Sequence, residues 1–258
     1  MTALLVREAT EPPEARGITR DAVRMMVAYQ HDLRLVDAHA HDLPQYLDEG
    51  DLIVVNTSGT LAAALDAARA QLAGLTQVRA IAGDVADESH RAELVAAAEQ
   101  LGRLTLLVNN ASLLGPSPQP RLADYPVSEY AHVLYVNTVA PLALTQRALP
   151  ALRAAHGTII NITSDAGLET YEGWGGYGSS KAALEQQGNI LGAEEREVRV
   201  YTFDPGDMRT QMHQDAFPGE DISDRPEPET VVPALVQLLQ SLPPSGRYRA
   251  ADFEVMTP

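Results

Sequence analysis

The stretch "GTIINITSDAGLETYEGWGGYGSSKAAL", residues 157–184, decides the fold. "GTIINITS" (157–164) is a short apolar run bounded by turn-forming residues, the pattern of a buried strand. The segment from 177 to about 195 reads as a helix, entered through a run of glycines. Tyr177 and Lys181 stand four residues apart at its head, so they share one face, one turn apart. A cation held beside a phenol stabilises the phenolate and lowers a pKa that starts near ~10. Such a tyrosine is usable as an acid or base near neutral pH. The same five residues also fit an ordinary glycine-rich loop and a helix with a solvent-facing lysine.

The surrounding chain continues the pattern. "DLIVVN" (51–56) reads as a buried strand and "TLAAALDAARAQLAGL" (60–75) as a helix. "VRAIAGDV" (78–85) predicts a strand ending at Asp84, followed by a helix from about Asp87 to Gly102. "LTLLVNNAS" (104–112) predicts a strand running into a polar turn. A long helix follows Pro126 through "VSEYAHVLYVNTVAPLALTQRALPALRAA", "VRVYTFDPG" (198–206) is a further strand, and "ETVVPALVQLLQSL" (229–242) closes the chain as a helix. Strand–helix alternation at this spacing implies an α/β fold: a doubly wound, mostly parallel, Rossmann-like sheet with helices on both faces. Ligands in such sheets sit beyond the carboxyl ends of the strands. Residues 109–112, 164–167 and 204–210 lie at those ends and converge on one edge.

Composition narrows the function classes. The chain has 258 residues, 45% of them hydrophobic, enough for a core. No apolar run approaches the ~18 residues of a membrane span. "MTALLVREATEPPEARG" lacks the basic start and apolar stretch of a secretion signal, so the expected compartment is the cytoplasm. The absence of cysteine excludes disulfides, thiol chemistry and zinc-thiolate sites. A net charge of -16 repels phosphate backbones, so neither nucleic acid nor membrane is an expected partner.

"LLVNNAS", "VNTVAP", "IINITSDAG", "YGSSKAAL" and "DPGDMRT" occur in that order. Together they resemble the short-chain dehydrogenase/reductase family over about residues 76–258. The resemblance implies catalytic roles for four residues. Ser164 would donate a hydrogen bond to the substrate oxygen and Tyr177 would exchange the proton. Lys181 would lower the Tyr177 pKa and hold the nicotinamide ribose, and Asn137 would help hold a water that links Lys181 to solvent. It further implies a cofactor, NAD or NADP. Asp84 and Val85 would meet its adenine, the backbone from Asn109 to Ala111 its ribose, and Pro205, Gly206 and Thr210 its nicotinamide. Ser112 stands where the family usually carries glycine. Trp174 and its neighbouring glycines would floor the substrate side, with Met208 and Met212 shaping the pocket. Residue by residue, Ser164 also fits a turn cap and Asn137 a satisfied polar group inside a helix; the joint match makes those readings poor.

The front of the chain departs from the family. The expected Thr-Gly-x-x-x-Gly-x-Gly phosphate loop has no counterpart; the nearest candidate holds one glycine, Gly17, amid Glu8, Glu11, Glu14 and two prolines. Carboxylates repel a pyrophosphate, and proline removes N–H donors. "EPPEARGITRDAVRMMV" and "DLPQYLDEGDLIVVNTSGTLAAAL" instead resemble the N-terminal part of the S-adenosylmethionine:tRNA ribosyltransferase-isomerase family. Residues 1–65 are therefore set apart as an atypical N-terminal segment, and 66–258 as the dehydrogenase-like core. At Asn56–Ser58 neither an acid for NAD nor an arginine for NADP stands, so the cofactor preference is not encoded there. "VDAHAHD" (36–42) places His39 and His41 on one face of a possible strand, but metal sites of that pattern need further ligands from a barrel. No metal is expected.

Three functions follow in order. The first is an oxidoreductase acting on a small alcohol or carbonyl through Ser164, Tyr177 and Lys181. The second is a cofactor-independent esterase with Ser164 as a nucleophile activated by Tyr177 and Lys181. The third is a non-catalytic or vestigial fusion protein. In relatives of this family the helices around 127–155 and 177–195 pair subunits, so the resemblance implies a homodimer or homotetramer.

Overall fold

A computed structural model describes residues 24–28, 35–39 and 78–253. Four parallel strands form its main sheet: β3 (Leu106–Asn109), β4 (Thr158–Ile162), β5 (Arg199–Asp204) and β6 (Gly246–Arg249), adjacent in that order. Between them run α1 (Glu88–Leu101), α2 (Val127–Leu134), α3 (Ala140–Ala155), α4 (Gly175–Glu194), α5 (Gln211–Ala216) and α6 (Val232–Ser241). A separate antiparallel ribbon pairs β1 (Arg24–Ala28) with β2 (Leu35–His39). His39 ends β2; His41 lies outside the described residues, as do "DLIVVN", the helix over 60–75 and Gly17.

Side chains alternate across a strand, and that alternation builds two cores. Leu107, Ile159 and Val200 face α1 and α3, packing with Val95, Leu144, Ala148 and Leu152. Leu106, Val108, Ile160, Tyr201 and Phe203 face the other side, where α6 supplies Ala234 and Leu238. The sheet is therefore covered on both faces, as parallel sheets require. Two residues beyond the apolar row of Leu107, Ile159 and Val200, the same face becomes polar. Asn109, Asn161, Thr202 and Arg247 stand side by side in register across all four strands.

The structure differs from the sequence reading in several places. Residues 78–83 are not a strand, because a strand exists only as a paired object and no described strand lies beside them. The long helix after Pro126 is interrupted by a π-helical turn, Tyr135–Val139, which carries Asn137. The chain does not close on its last helix: β6 follows it and pairs with β5. Four residues reading "GRYR" carry no apolar run, because this strand sits at the sheet edge and its inward cation is met by carboxylates. Residues 1–50, read as lacking helix–strand alternation, contain the antiparallel β1–β2 ribbon, whose second strand overlaps the possible strand at 36–42.

The bounds of α1 agree with the sequence, whereas α5 (Gln211–Ala216) lies where no helix was expected. Asp87 caps α1 by accepting from Ser89 N–H at 2.8 Å, an N-cap expected of an aspartate. Gly102 ends it. Among the described residues no helix is long and apolar enough to cross a membrane, and no group of histidines and acids could hold a metal.

Candidate active site

Ser164 caps the start of the turn after β4, and Tyr177 and Lys181 sit on the first two turns of α4. Two glycines bring these elements together. A methyl group on Gly178 would lie 2.6 Å from the Ala166 carbonyl oxygen, and one on Gly167 would lie 2.9 Å from the Lys181 backbone. Only residues without a side chain let the turn at Asp165–Gly167 press onto the helix, and that contact delivers Ser164 to Tyr177.

Ser112 and Ser164 are the polar neighbours of the Tyr177 hydroxyl that favour its phenolate form. Ser164 Oγ also donates to Asp165 Oδ1 at 3.0 Å and accepts from Ala166 N–H at 3.2 Å. A hydroxyl carries one proton, and Ser164 gives it to the Asp165 carboxylate. It is thus the cap of this turn and a polar neighbour of the phenol. Asp165 Oδ2 accepts in turn from Tyr171 at 2.9 Å.

Lys181 is 2% exposed, its Nζ 5.4 Å from the Tyr177 ring centroid and donating to the Ile162 carbonyl at 2.8 Å. Burial lowers its pKa to about 8, against a raising effect of Asp204. Burial likewise pushes Tyr177 up to about 12; Ser112 and Ser164 oppose this, while Asp204 and Asp165 add to it. The expected acidic tyrosine is therefore not what this geometry produces, since desolvation of the phenolate outweighs its hydrogen bonds. Tyr177 is a protonated acid at neutral pH, and Lys181 is a cation near its titration point.

Asn137, fully buried, is held at every polar atom. Its Oδ1 accepts from Leu113 N–H at 2.7 Å, and its Nδ2 donates to Leu113 O at 2.8 Å and to Ser180 Oγ at 2.9 Å. Ser180 Oγ donates back to Tyr177 O at 2.6 Å. Asn137 thereby ties the loop after β3 to α4, and a π-helical turn at such a residue is a frequent mark of function.

Around this centre lie the residues expected to hold a dinucleotide. Asp84 turns one carboxylate oxygen to Ala86 N–H at 2.8 Å, closing its own turn. Val85 is buried against Ala111, Val136 and Ala140, with its carbonyl held by Arg91. A narrow cleft opens beside Val85, Asn110 and Ala111. The Asn109 side chain points inward, donating to Asn161 Oδ1 at 2.8 Å, so only its backbone faces the edge. Gly206, at φ 75°, has open space where a Cβ would stand, next to Pro205. Thr210 caps α5 by accepting from His213 N–H at 3.1 Å.

On the substrate side Trp174 meets Tyr177 and Phe217, each at 5.8 Å between centroids, and Tyr171 at 6.3 Å. Met212 and Ala216 of α5 pack with Trp174 against Leu114, Ala166 and Tyr177. Met208 stands outside that cluster and contributes its carbonyl to Thr210 N–H. The sequence reading did not include Ser112, Asp165, Tyr171 or Arg247 in the site. Ser112 was visible as a departure from glycine and Asp165 lay in the strand-end segment 164–167; Tyr171 and Arg247 are brought in by contacts that carry no motif. The esterase arrangement has no support in this geometry, because Lys181 turns its ammonium to Ile162 and no described nitrogen base meets Ser164 Oγ.

A family model described as short chain dehydrogenase matches residues 44–221, taking in part of the segment set apart as 1–65. An uncharacterised oxidoreductase of Saccharomyces cerevisiae is 34% identical over 133 residues, 51% of this chain and 52% of that protein. Sepiapterin reductase of Rattus norvegicus is 34% identical over 146 residues, 54% of this chain and 56% of that protein. The chain spans about half the length of the curated relatives it matches. Among solved structures, an Escherichia coli oxidoreductase superposes with a TM-score of 0.66 at 26% identity, over 78% of this chain and 83% of that one. A Shigella flexneri short chain dehydrogenase complexed with NADP gives 0.66 at 25% identity, over 78% and 85%.

Proposed function

We propose, from the premise that this chain belongs to the short-chain dehydrogenase family, that it is a nicotinamide-dependent oxidoreductase of small carbonyl or alcohol substrates. Ser164, Tyr177, Lys181 and Asn137 carry the proton chemistry. The observation that carries this reading is the place of Lys181. It is the only lysine in the chain, whose other 18 side chains of that charge are arginines. Arginine is always protonated, whereas a buried lysine can change its charge. The one lysine lies buried beneath the candidate acid, where a titratable cation is useful.

The described residues fit a dinucleotide. Gly206 leaves an open cradle beside Pro205, with nothing within 4 Å of where a Cβ would stand. Asp84 and Val85 would hold the adenine, the Asn109–Ala111 backbone and Lys181 the two riboses, and Pro205, Gly206 and Thr210 the nicotinamide. That group supplies or accepts the hydride at the substrate carbon. Everything else falls to the chain. Ser164 turns its proton from Asp165 to the substrate oxygen and fixes that oxygen near Tyr177. Tyr177 then gives up its proton to the oxygen, completing an alcohol, and the Lys181 ammonium stabilises the phenolate left behind. Asn137 holds the loop and helix in register during the transfer. Trp174, Phe217 and Met212 exclude water from the reacting oxygen.

The proposal covers NAD and NADP alike. Residues 1–65 are proposed to form a segment distinct from the core. Tyr135, Val139 and Ile190 leave apolar surface on the helices expected to pair subunits, which supports a homodimer or homotetramer. Titration of NADH and NADPH against the purified protein, followed by a panel of small aldehydes and ketones, tests the function. Binding of neither nucleotide together with no turnover would end it.

A further inference from the structure

The polar row across the sheet ends in a buried ion cluster that the proton chemistry above does not use. Arg247, on the edge strand β6, directs Nη2 to Asp204 Oδ2 at 2.7 Å and Nη1 to Glu185 Oε2 at 2.5 Å. Nη1 also lies 3.4 Å from Thr163 Oγ1. Glu185 Oε1 accepts from Thr202 Oγ1 at 2.6 Å, and Asp204 Oδ1 accepts from Gly206 N–H at 3.0 Å. Asp204 and Glu185 are each 5% exposed. Both carboxylates are therefore satisfied, and Asp204 is held by Arg247 on one oxygen and by Gly206 N–H on the other.

Asp204 is the carboxylate whose field acts on Lys181. Thr202 and Asp204 alternate onto the α4 face of β5, the face that also receives Lys181. The backbone joins them: Lys181 Nζ binds the Ile162 carbonyl, and the next residue, Thr163, donates its N–H to Phe203 O at 2.8 Å, one position before Asp204. A buried ammonium and a buried carboxylate on neighbouring elements attract each other. In the structure Lys181 donates to Ile162 O, while Asp204 is held by Arg247 and Gly206 N–H.

We propose that Arg247 is a positioning residue that holds the Asp204 carboxylate away from Lys181, so that the only lysine stays on a neutral carbonyl and free to change its charge. A direct ion pair would lock Lys181 as a permanent cation and draw it from beneath Tyr177. The other charged groups around this centre are Tyr177 and Glu185 on the same helix, Asp165 on the turn after β4, and Arg249 on β6. None of them supplies Lys181 with a hydrogen bond in place of Ile162. The consequence for catalysis rests on the function proposed above; the effect on Lys181 does not.

A single lysine makes the test direct. Protein grown with carbon-13 lysine gives one lysine side-chain signal, whose pH titration reports Lys181 alone, with no substrate or cofactor. Unmodified protein should titrate with a midpoint near about 8. Arg247→Met releases Asp204, and the midpoint should rise by about one to three pH units. Arg247→Gln keeps hydrogen-bonding reach without charge, guards against failure of the first variant to fold, and should move the midpoint the same way. Adding Asp204→Asn to either variant should abolish the rise. A midpoint unmoved or lowered in a folded Arg247 variant overturns the proposal, as does a rise that survives Asp204→Asn. Failure of the oxidoreductase reading would appear separately, as no nucleotide binding by the unmodified protein.

Discussion

The Lys181 ammonium is bonded to the Ile162 carbonyl at 2.8 Å, inside the protein and without a carboxylate on it. A charge so placed is costly to the fold, and the cost has a pH signature. The folded protein releases this proton near about 8, the unfolded chain near 10.5. Between those values the unfolded state binds more protons, so stability rises with pH through that window and the full penalty is felt below it.

Lys181→Met should therefore be at least as stable as the unmodified protein near neutral pH, while losing activity by about 100-fold or more. Its stability advantage should shrink as the pH climbs from about 8 to 10.5. Urea unfolding across that range measures both quantities. A variant less stable at neutral pH by a gap that does not change with pH would show that burial of the charge is not what strains the site.

Tyr177 holds its proton up to about 12, so it is a donor throughout the neutral range. Carbonyl reduction should stay level at low pH and decline as the pH passes about 8, where Lys181 loses the charge that stabilises the phenolate. Tyr177→Phe should lower turnover by about 100- to 10,000-fold with nucleotide affinity little changed. Steady-state rates over pH, and nucleotide titration of the variant, check the two halves. Full activity in Tyr177→Phe would remove it from the mechanism.

Gly178 has no room for a methyl group, which would meet the Ala166 carbonyl at 2.6 Å. Gly178→Ala should push the turn at Asp165–Gly167 off α4, costing about 1–3 kcal/mol of stability. Since that turn carries Ser164, the rate should also fall, by about 100-fold for a displacement near 1 Å. Thermal unfolding and kcat on the same sample are the readouts. Unchanged kcat would mean that Ser164 does not depend on this contact.

Trp174 touches three aromatic rings on the substrate side. Trp174→Ala should raise KM more than it lowers kcat, because it removes a wall and not the proton donor. The lost ring contacts should cost about 1–2 kcal/mol of stability. A drop confined to kcat would place Trp174 in the chemistry instead.

Much of the fold was legible because its elements are local. The caps at Asp87 and Gly102 and the strand of 158–162 follow from neighbours in sequence, as does the helix beginning just before Tyr177. Segment 78–83 was misread because an apolar run becomes a strand only beside a partner, and β6 was missed because two of its four residues are arginines. The π-helical turn at Asn137 has no signature in composition.

For the site, the sequence by itself determined which residues could do the chemistry: a tyrosine and the only lysine one helical turn apart, after a serine at a strand end. Tertiary structure alone decided their states. Burial, not spacing, makes Tyr177 a weak acid and Lys181 a cation close to neutrality. The engagement of Asp204 depends on Arg247, 43 residues further along the chain. Charge states are set by what surrounds a group in space, and spacing along a helix reports only what lies one turn away.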